Sequence, residues 1–163
     1  MTWLASTPWS IALHESEYAY TVVESVHVLT LCLFVGLAIF LDLRLLGVTM
    51  REVPVSQVSK RLLPWITGGF VVMVITGALL FYAIPIRTYE SIFFRLKAML
   101  LVLAGVNAFV FHSTIWKKLH EWDRDAIPPP RARLAGGLSL FFWAGIVVLG
   151  RMIAYNWFDK RIY

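Results

Sequence analysis

This chain of 163 residues contains four long apolar stretches, over about residues 20–46, 62–83, 93–116 and 134–157. Each stretch reaches the roughly 20 residues that a helix needs to cross a hydrocarbon core of ~30 Å. Lipid offers no hydrogen-bond partner to an exposed backbone, so an open chain crosses it only as helices. The pattern therefore predicts four transmembrane helices.

The composition supports a membrane environment. Hydrophobic residues make up 59% of the chain and charged residues only 15%, and the mean hydropathy is +0.71. A water-soluble domain has about a quarter of its residues charged, and a chain of this length could not bury so much apolar surface in a core of its own. We expect an all-α integral membrane four-helix bundle, forming one transmembrane domain over residues 1–163. Residues 5–18 mix apolar and aromatic side chains and predict a short N-terminal interfacial segment.

The positions of the basic residues indicate what the chain binds and how it is oriented in the membrane. A net charge of +5 could indicate nucleic acid, but the lysines and arginines stand at the ends of the apolar stretches. This placement is typical of membrane flanks, so we expect a lipid bilayer as partner and no nucleic acid. The loops after the first and third stretches carry Arg51, Lys60, Arg61, Lys117, Lys118, Arg124, Arg131 and Arg133. They predict a multi-pass protein with these two loops in the cytoplasm and both termini on the outer side.

Ionisable residues within the apolar stretches are the candidate functional residues, because such groups are costly in a membrane. At ~1.5 Å of rise per residue, Glu24 and His27 lie toward the outer side, and Lys97 and Arg151 are expected in the same layer. Arg95 lies just before Lys97. The same rise places His112 roughly 20 Å from His27 along the membrane normal, so these two histidines are not expected to hold one haem between them.

The outer layer allows several roles. Glu24 stands three residues before His27, so the two share a helix face. A carboxylate there could orient a ligand histidine, form a proton relay with it, or only make a structural hydrogen bond. Lys97 could equally extend its amine to the membrane surface. No nucleotide-binding loop, nucleophile triad or zinc set is present in the sequence, so no reaction and no catalytic residue is assigned.

Three segments resemble known membrane families. Residues 26–36 (VHVLTLCLFVG) resemble the first-helix motif of the HemJ type of protoporphyrinogen oxidase and of the CopD-like copper-resistance membrane domain. Residues 94–103 (FRLKAMLLVL) resemble the third-helix HemJ motif. Residues 42–47 (DLRLLG) and the layout of the whole chain resemble an uncharacterised bacterial family of four-helix membrane proteins.

The HemJ resemblance implies a bound haem b with His27 and Lys97 as axial ligands. In this hypothesis Glu24 orients His27, while Arg95 and Arg151 neutralise the haem propionates, which guanidinium groups bind in bidentate fashion. We therefore expect a haem b-binding inner-membrane protein with a redox or electron-transfer role, working as a homo-oligomer or in a membrane redox complex. Two alternatives stay open: a non-catalytic integral subunit or anchor of a larger complex, and transport of a small solute, copper or protons.

Overall fold

Four long helices form the fold. The computed structural model describes residues 16–155, together with Trp3 and residues 6–8. We label the long helices α1 (Glu17–Leu45), α2 (Val55–Ala83), α3 (Ile92–Val110) and α4 (Pro130–Tyr155). The described residues contain no strand, so the predicted all-α class is confirmed.

Shorter helical segments extend or connect the long helices. The helix Pro85–Glu90 joins α2 to α3. Beyond α3 the chain continues through a π-helical turn (Phe111–Ile115), a 3-10 turn (Trp116–Lys118) and a last α-helical turn (Leu119–Trp122). Four helical units are long and apolar enough to cross a membrane: Tyr18–Leu45, Val55–Ala83, Ile92–Trp122 and Pro130–Ile153. The chain is thus a multi-pass membrane protein.

The second helix begins earlier than the sequence indicates. The apolar stretch predicts a start near residue 62, with Pro64 in the first turn, and this placement is wrong because α2 begins at Val55. The cause is a set of hydrogen bonds to Asp123, which lies in the segment between α3 and α4. The Val55 N–H donates to the Asp123 carbonyl at 3.0 Å, and the Ser56 N–H donates to the Asp123 carboxylate at 2.7 Å. These partners satisfy the N–H groups that a helix start leaves open, so a polar segment joins the helix.

The end of α2 and the start of α1 agree with the punctuation of the sequence. The third helical unit instead extends to Trp122, beyond the predicted end near residue 116, and α4 begins at Pro130, before the predicted start near residue 134. Pro85 follows the end of α2 and opens the next short helix, where its missing N–H costs little. At the start of α1, the Ser16 hydroxyl accepts a hydrogen bond from the Ala19 N–H at 3.3 Å. The interfacial segment expected over residues 5–18 lies mostly outside the described residues, as does the expected end of the fourth span at residue 157.

The helices pack in a chain of neighbours. α2 packs against α1, α1 against α4, and α4 against α3. A glycine permits the close contact between α1 and α4. A Cβ added to Gly136 would lie 3.0 Å from the Asp42 carbonyl oxygen and 3.1 Å from the Leu45 Cβ. Small residues of this kind let membrane helices approach backbone to backbone.

One end of the bundle, which we call the Arg44 end, is closed by buried polar contacts. Arg44 is fully buried; its Nε donates to the Val53 carbonyl at 2.9 Å and its Nη2 to the Asp125 carbonyl at 3.0 Å. The Asp123 carboxylate also accepts from the Ser56 hydroxyl at 2.7 Å. These contacts fasten the α1–α2 loop to the segment before α4. A buried apolar cluster accompanies them, formed by Leu45, Val55, Phe111, Trp122, Ala132 and Ala135.

The outward faces of the helices are apolar and uncovered. Leu29, Phe109 and Phe141 are 71%, 72% and 68% exposed, and many other large apolar side chains are exposed with them. In water such a surface is unfavourable by about 25 cal/mol per Å². The faces are therefore suited to lipid tails, as the sequence predicts.

The α1–α4 contact gives a first prediction. Gly136→Ala places a methyl group against the backbone of α1, which cannot move aside easily, so we expect it to lower the free energy of unfolding by about 1–3 kcal/mol. Gly105→Ala is the control, since a Cβ there meets nothing within 4 Å. The measurement is unfolding in detergent followed by circular dichroism. Equal stability of the two variants would contradict the close contact.

The start of α2 gives a second prediction. Asp123→Ala removes both carboxylate hydrogen bonds to Ser56 and should destabilise the protein by about 1–2 kcal/mol. Glu121→Ala is the matched control, because the Glu121 side chain is exposed and makes no hydrogen bond or ion pair in the described chain. Denaturant titration of both variants compares them directly. A loss no larger for Asp123→Ala than for Glu121→Ala would contradict the capping role of Asp123.

Candidate functional site

His27 meets α2 at the end of the bundle opposite Arg44, which we call the His27 end. Its Nδ1 lies 2.8 Å from the Thr76 hydroxyl oxygen. Thr76 is buried, and the same hydroxyl oxygen lies 2.7 Å from the Val72 carbonyl oxygen one turn earlier in α2. The ring is half-buried. Its second nitrogen, Nε2, has no hydrogen-bond partner among the described residues.

A glycine lets the imidazole lie against the backbone of α2. A Cβ added to Gly77 would lie 3.3 Å from the His27 Cε1, tighter than most such contacts. The adjacent residues Thr76 and Gly77 therefore act together: one offers an oxygen to the ring, and the other leaves room for it. Any larger residue at position 77 would press on the imidazole.

Lys97 lies on α3, and its side chain packs against a glycine of α4, much as His27 packs against a glycine of α2. A Cβ added to Gly150 would lie 3.4 Å from the Lys97 Nζ and 3.9 Å from its Cε. The side chain is half-buried and makes no hydrogen bond or ion pair within the described part of the chain. Lys97 is close enough to His27 for the two side chains to interact electrostatically. The structure thus places the imidazole, against α2, and the amine, against α4, at the same end of the bundle.

Glu24 does not have the position that its spacing suggests. Its side chain is exposed on α1, and the hydrogen-bond partner of His27 is Thr76. Glu24 and His27 share no hydrogen bond among the described residues, and the role of Glu24 toward a ligand stays a prediction. The helix turns Glu24 away from the narrow stripe of α1 that faces α2.

The two arginines of the predicted site are at the surface. The Arg95 guanidinium lies 5.3 Å from the centroid of the Tyr89 ring, and its Nε donates to the Tyr89 carbonyl at 3.2 Å. Arg151 follows Gly150, the contact residue of Lys97, and its side chain is exposed. Both belong to the His27 end, and their role toward propionates stays a prediction.

His112 belongs to the other end of the bundle. It is exposed in the π-helical turn, its Nδ1 lies 3.1 Å from the Ala108 carbonyl of its own helix, and its ring stacks on Trp116 at 5.7 Å. No group of three or more histidine, cysteine, aspartate or glutamate side chains suited to a metal ion occurs among the described residues. A metal held without a prosthetic group thus has no evident site there.

The sequence alone did not reveal Thr76. Threonine is common in helices, and the pair Thr76–Gly77 is not distinctive, because Thr67–Gly68 repeats it in the same span. The sequence also did not reveal that Arg44 binds loop carbonyls. The Asp42 carboxylate near it is buried, and its Oδ2 has no hydrogen-bond partner among the described residues.

Fold and site together define a four-helix, multi-pass membrane protein with a polar layer near one end. Residues 13–156 match a family of unknown function, DUF6644, and the chain therefore belongs to this family. No curated protein and no solved structure matches the chain. The family match gives no support to the HemJ-like or CopD-like motifs, so any role drawn from them is a matter for proposal.

The contact of His27 with Gly77 gives a third prediction. Gly77→Ala should displace the imidazole and lower the free energy of unfolding by about 1 kcal/mol relative to a neutral glycine substitution. Gly68→Ala is the matched control on the same helix, because a Cβ there meets nothing within 4 Å. The NMR signals of the His27 ring should shift in Gly77→Ala and stay unchanged in Gly68→Ala. Unmoved His27 signals in both variants would exclude the contact.

Proposed function

We propose that this protein binds haem b within the membrane and has a redox or electron-transfer role, and that His27 Nε2 and Lys97 Nζ would hold its iron. One observation carries the proposal. An imidazole and an amine from two different helices lie within electrostatic range at one end of the bundle, and each packs against a glycine of a neighbouring helix. Polar groups brought together inside a membrane bundle are by default functional candidates.

The donor set fits a haem iron. Imidazole nitrogen is a common iron ligand, and Nε2 of His27 has no competing partner in the described chain. A neutral amine offers a lone pair of the same kind, and metal binding releases the proton of an ammonium group. Bound haem would supply one-electron redox chemistry, while the protein supplies the ligands and the surrounding dielectric.

The protein's own residues would then hold and orient the group. Arg95 uses its Nε for the Tyr89 carbonyl, and its two terminal nitrogens have no hydrogen-bond partner in the described chain. They are suited to a carboxylate, as is the exposed Arg151 guanidinium. Glu24 remains a surface carboxylate of the same layer, one turn from His27 on α1.

We further propose that the protein lies in a bacterial inner membrane with both termini in the periplasm. The support is the exposed basic residues around the Arg44 end, which the positive-inside rule assigns to the cytoplasm. The haem layer would then lie near the periplasmic surface. A membrane redox complex, or a second copy of the chain, would supply or accept the electrons there.

The visible absorption spectrum tests the haem proposal. Protein expressed with a haem supply and purified in mild detergent should show a Soret band. His27→Ala should lose most of the Soret band, and Lys97→Leu should shift the band, since each change removes one nitrogen ligand. His112→Ala and Lys118→Leu are matched controls, because both residues are exposed and lie toward the Arg44 end; they should leave the spectrum unchanged.

Two results would contradict the proposal. One is the absence of a Soret band in wild-type protein that has been titrated with haem. The other is a band that survives both His27→Ala and Lys97→Leu but is lost in His112→Ala, which would place the group at the opposite end of the bundle.

A second candidate is proton transfer, which the closeness of Lys97 and His27 favours because both side chains accept and release protons. Proton flux into liposomes containing the protein tests it. A flux that is lost in Lys97→Met, from protein without a Soret band, would favour the relay over haem.

A further inference from the structure

The Thr76 hydroxyl determines which nitrogen of His27 carries the proton. Its oxygen lies 2.7 Å from the Val72 carbonyl oxygen, the usual length of an O–H···O hydrogen bond. A carbonyl can only accept, so the single hydroxyl hydrogen lies between these two oxygens. Without that hydrogen, two oxygens at this distance would repel each other.

The hydroxyl oxygen therefore acts as an acceptor toward the imidazole. His27 Nδ1 lies 2.8 Å away, and a hydroxyl oxygen whose hydrogen is already donated can only accept a hydrogen bond there. We infer that Thr76 is a positioning residue that holds neutral His27 in its Nδ1–H tautomer and presents an unprotonated Nε2 to the haem iron. The iron as occupant rests on the proposed function; the tautomer does not.

The surroundings of the ring support this assignment. Threonine within a helix often donates to the carbonyl four residues earlier and needs no other partner, but here the buried hydroxyl also contacts a side chain 49 residues away in the sequence. Gly77 lets the ring edge reach the backbone of α2, so the imidazole meets Thr76 without tilting. Nδ1 of the ring contacts the Thr76 hydroxyl, and Cε1 lies beside Gly77. Nε2 has no hydrogen-bond partner in the described chain.

A histidine with one nitrogen bonded to a fixed acceptor and the other nitrogen open is arranged as metal-binding histidines are. A histidine that binds a metal through one nitrogen usually donates the N–H of the other to a fixed acceptor, which sets the tautomer and the direction of the ring. Glutamate, a backbone carbonyl or water is the common acceptor. Here the acceptor is a hydroxyl oxygen made more basic by its own donation to Val72.

The test uses ¹⁵N NMR of the full chain, labelled at histidine nitrogens and purified without haem. His27→Gln identifies the His27 signals among the four histidines of the chain. We expect wild-type Nδ1 to be protonated and Nε2 to carry the lone pair. Thr76→Val removes the acceptor with little change of shape, so the ring should move toward the Nε2–H tautomer that imidazole favours in water. Thr76→Ser keeps the hydroxyl and should retain the wild-type pattern.

Haem titration of the same three proteins provides the second measurement. Loss of the orienting partner typically weakens metal binding 10–100-fold, so Thr76→Val should raise the dissociation constant by about that factor while Thr76→Ser stays near wild type. Circular dichroism confirms that both variants are folded.

The outcomes separate the two proposals. An Nε2–H tautomer in the wild type, or an unchanged Nδ1–H tautomer in Thr76→Val, overturns the assignment to Thr76 whether or not haem binds. Equal haem affinity in wild type and Thr76→Val overturns the positioning role. Failure of the wild type to bind haem removes the proposed function, and the NMR arm still decides the tautomer.

Discussion

A polar side chain inside a bilayer depends on the protein for its hydrogen-bond partners, because lipid provides none. The two ends of this bundle meet that requirement differently. At the Arg44 end, the guanidinium donates to two loop carbonyls and the Asp123 carboxylate accepts from the first turn of α2, although Arg44 Nη1 and Asp42 Oδ2 have no hydrogen-bond partner in the described chain. At the His27 end, only Nδ1 of the imidazole is bonded, while Nε2 and the Lys97 amine have no hydrogen-bond partner among the described residues. The contacts of the first end hold the helices together, and in the proposed function the second end would offer nitrogen atoms to a ligand.

The number of helices could be predicted from the sequence because the length of each apolar stretch is set by the bilayer and needs no knowledge of packing. The start of α2 could not. It depends on Asp123, which is 67 residues away from Ser56. The local sequence contains no information about such a contact. The polar first turns of α2 were therefore predicted as loop, and Pro64 was predicted to lie in the first turn of the helix.

The candidate site was predicted only in part, for a related reason. Helical rise alone placed His27 and Lys97 at similar depth, and the structure brings them within electrostatic range. The helical rise per residue gives the depth of a residue in the membrane, but it does not give the direction in which its side chain points. Glu24 lies three residues from His27, yet α1 buries a narrow stripe against α2, which includes His27 and leaves Glu24 exposed. The partner of His27 is Thr76, which only the packing of α1 on α2 could identify.

The ligation of one iron by His27 and Lys97 is the central claim, and electron paramagnetic resonance of the ferric, haem-loaded protein tests it most directly. Two nitrogen ligands from the protein would give a low-spin signal, because together they provide a strong ligand field. The account predicts a low-spin signal in the wild type and a high-spin signal in Lys97→Leu, where one of the two ligands is lost. A high-spin signal in the wild type, or the same low-spin signal in both proteins, would contradict it.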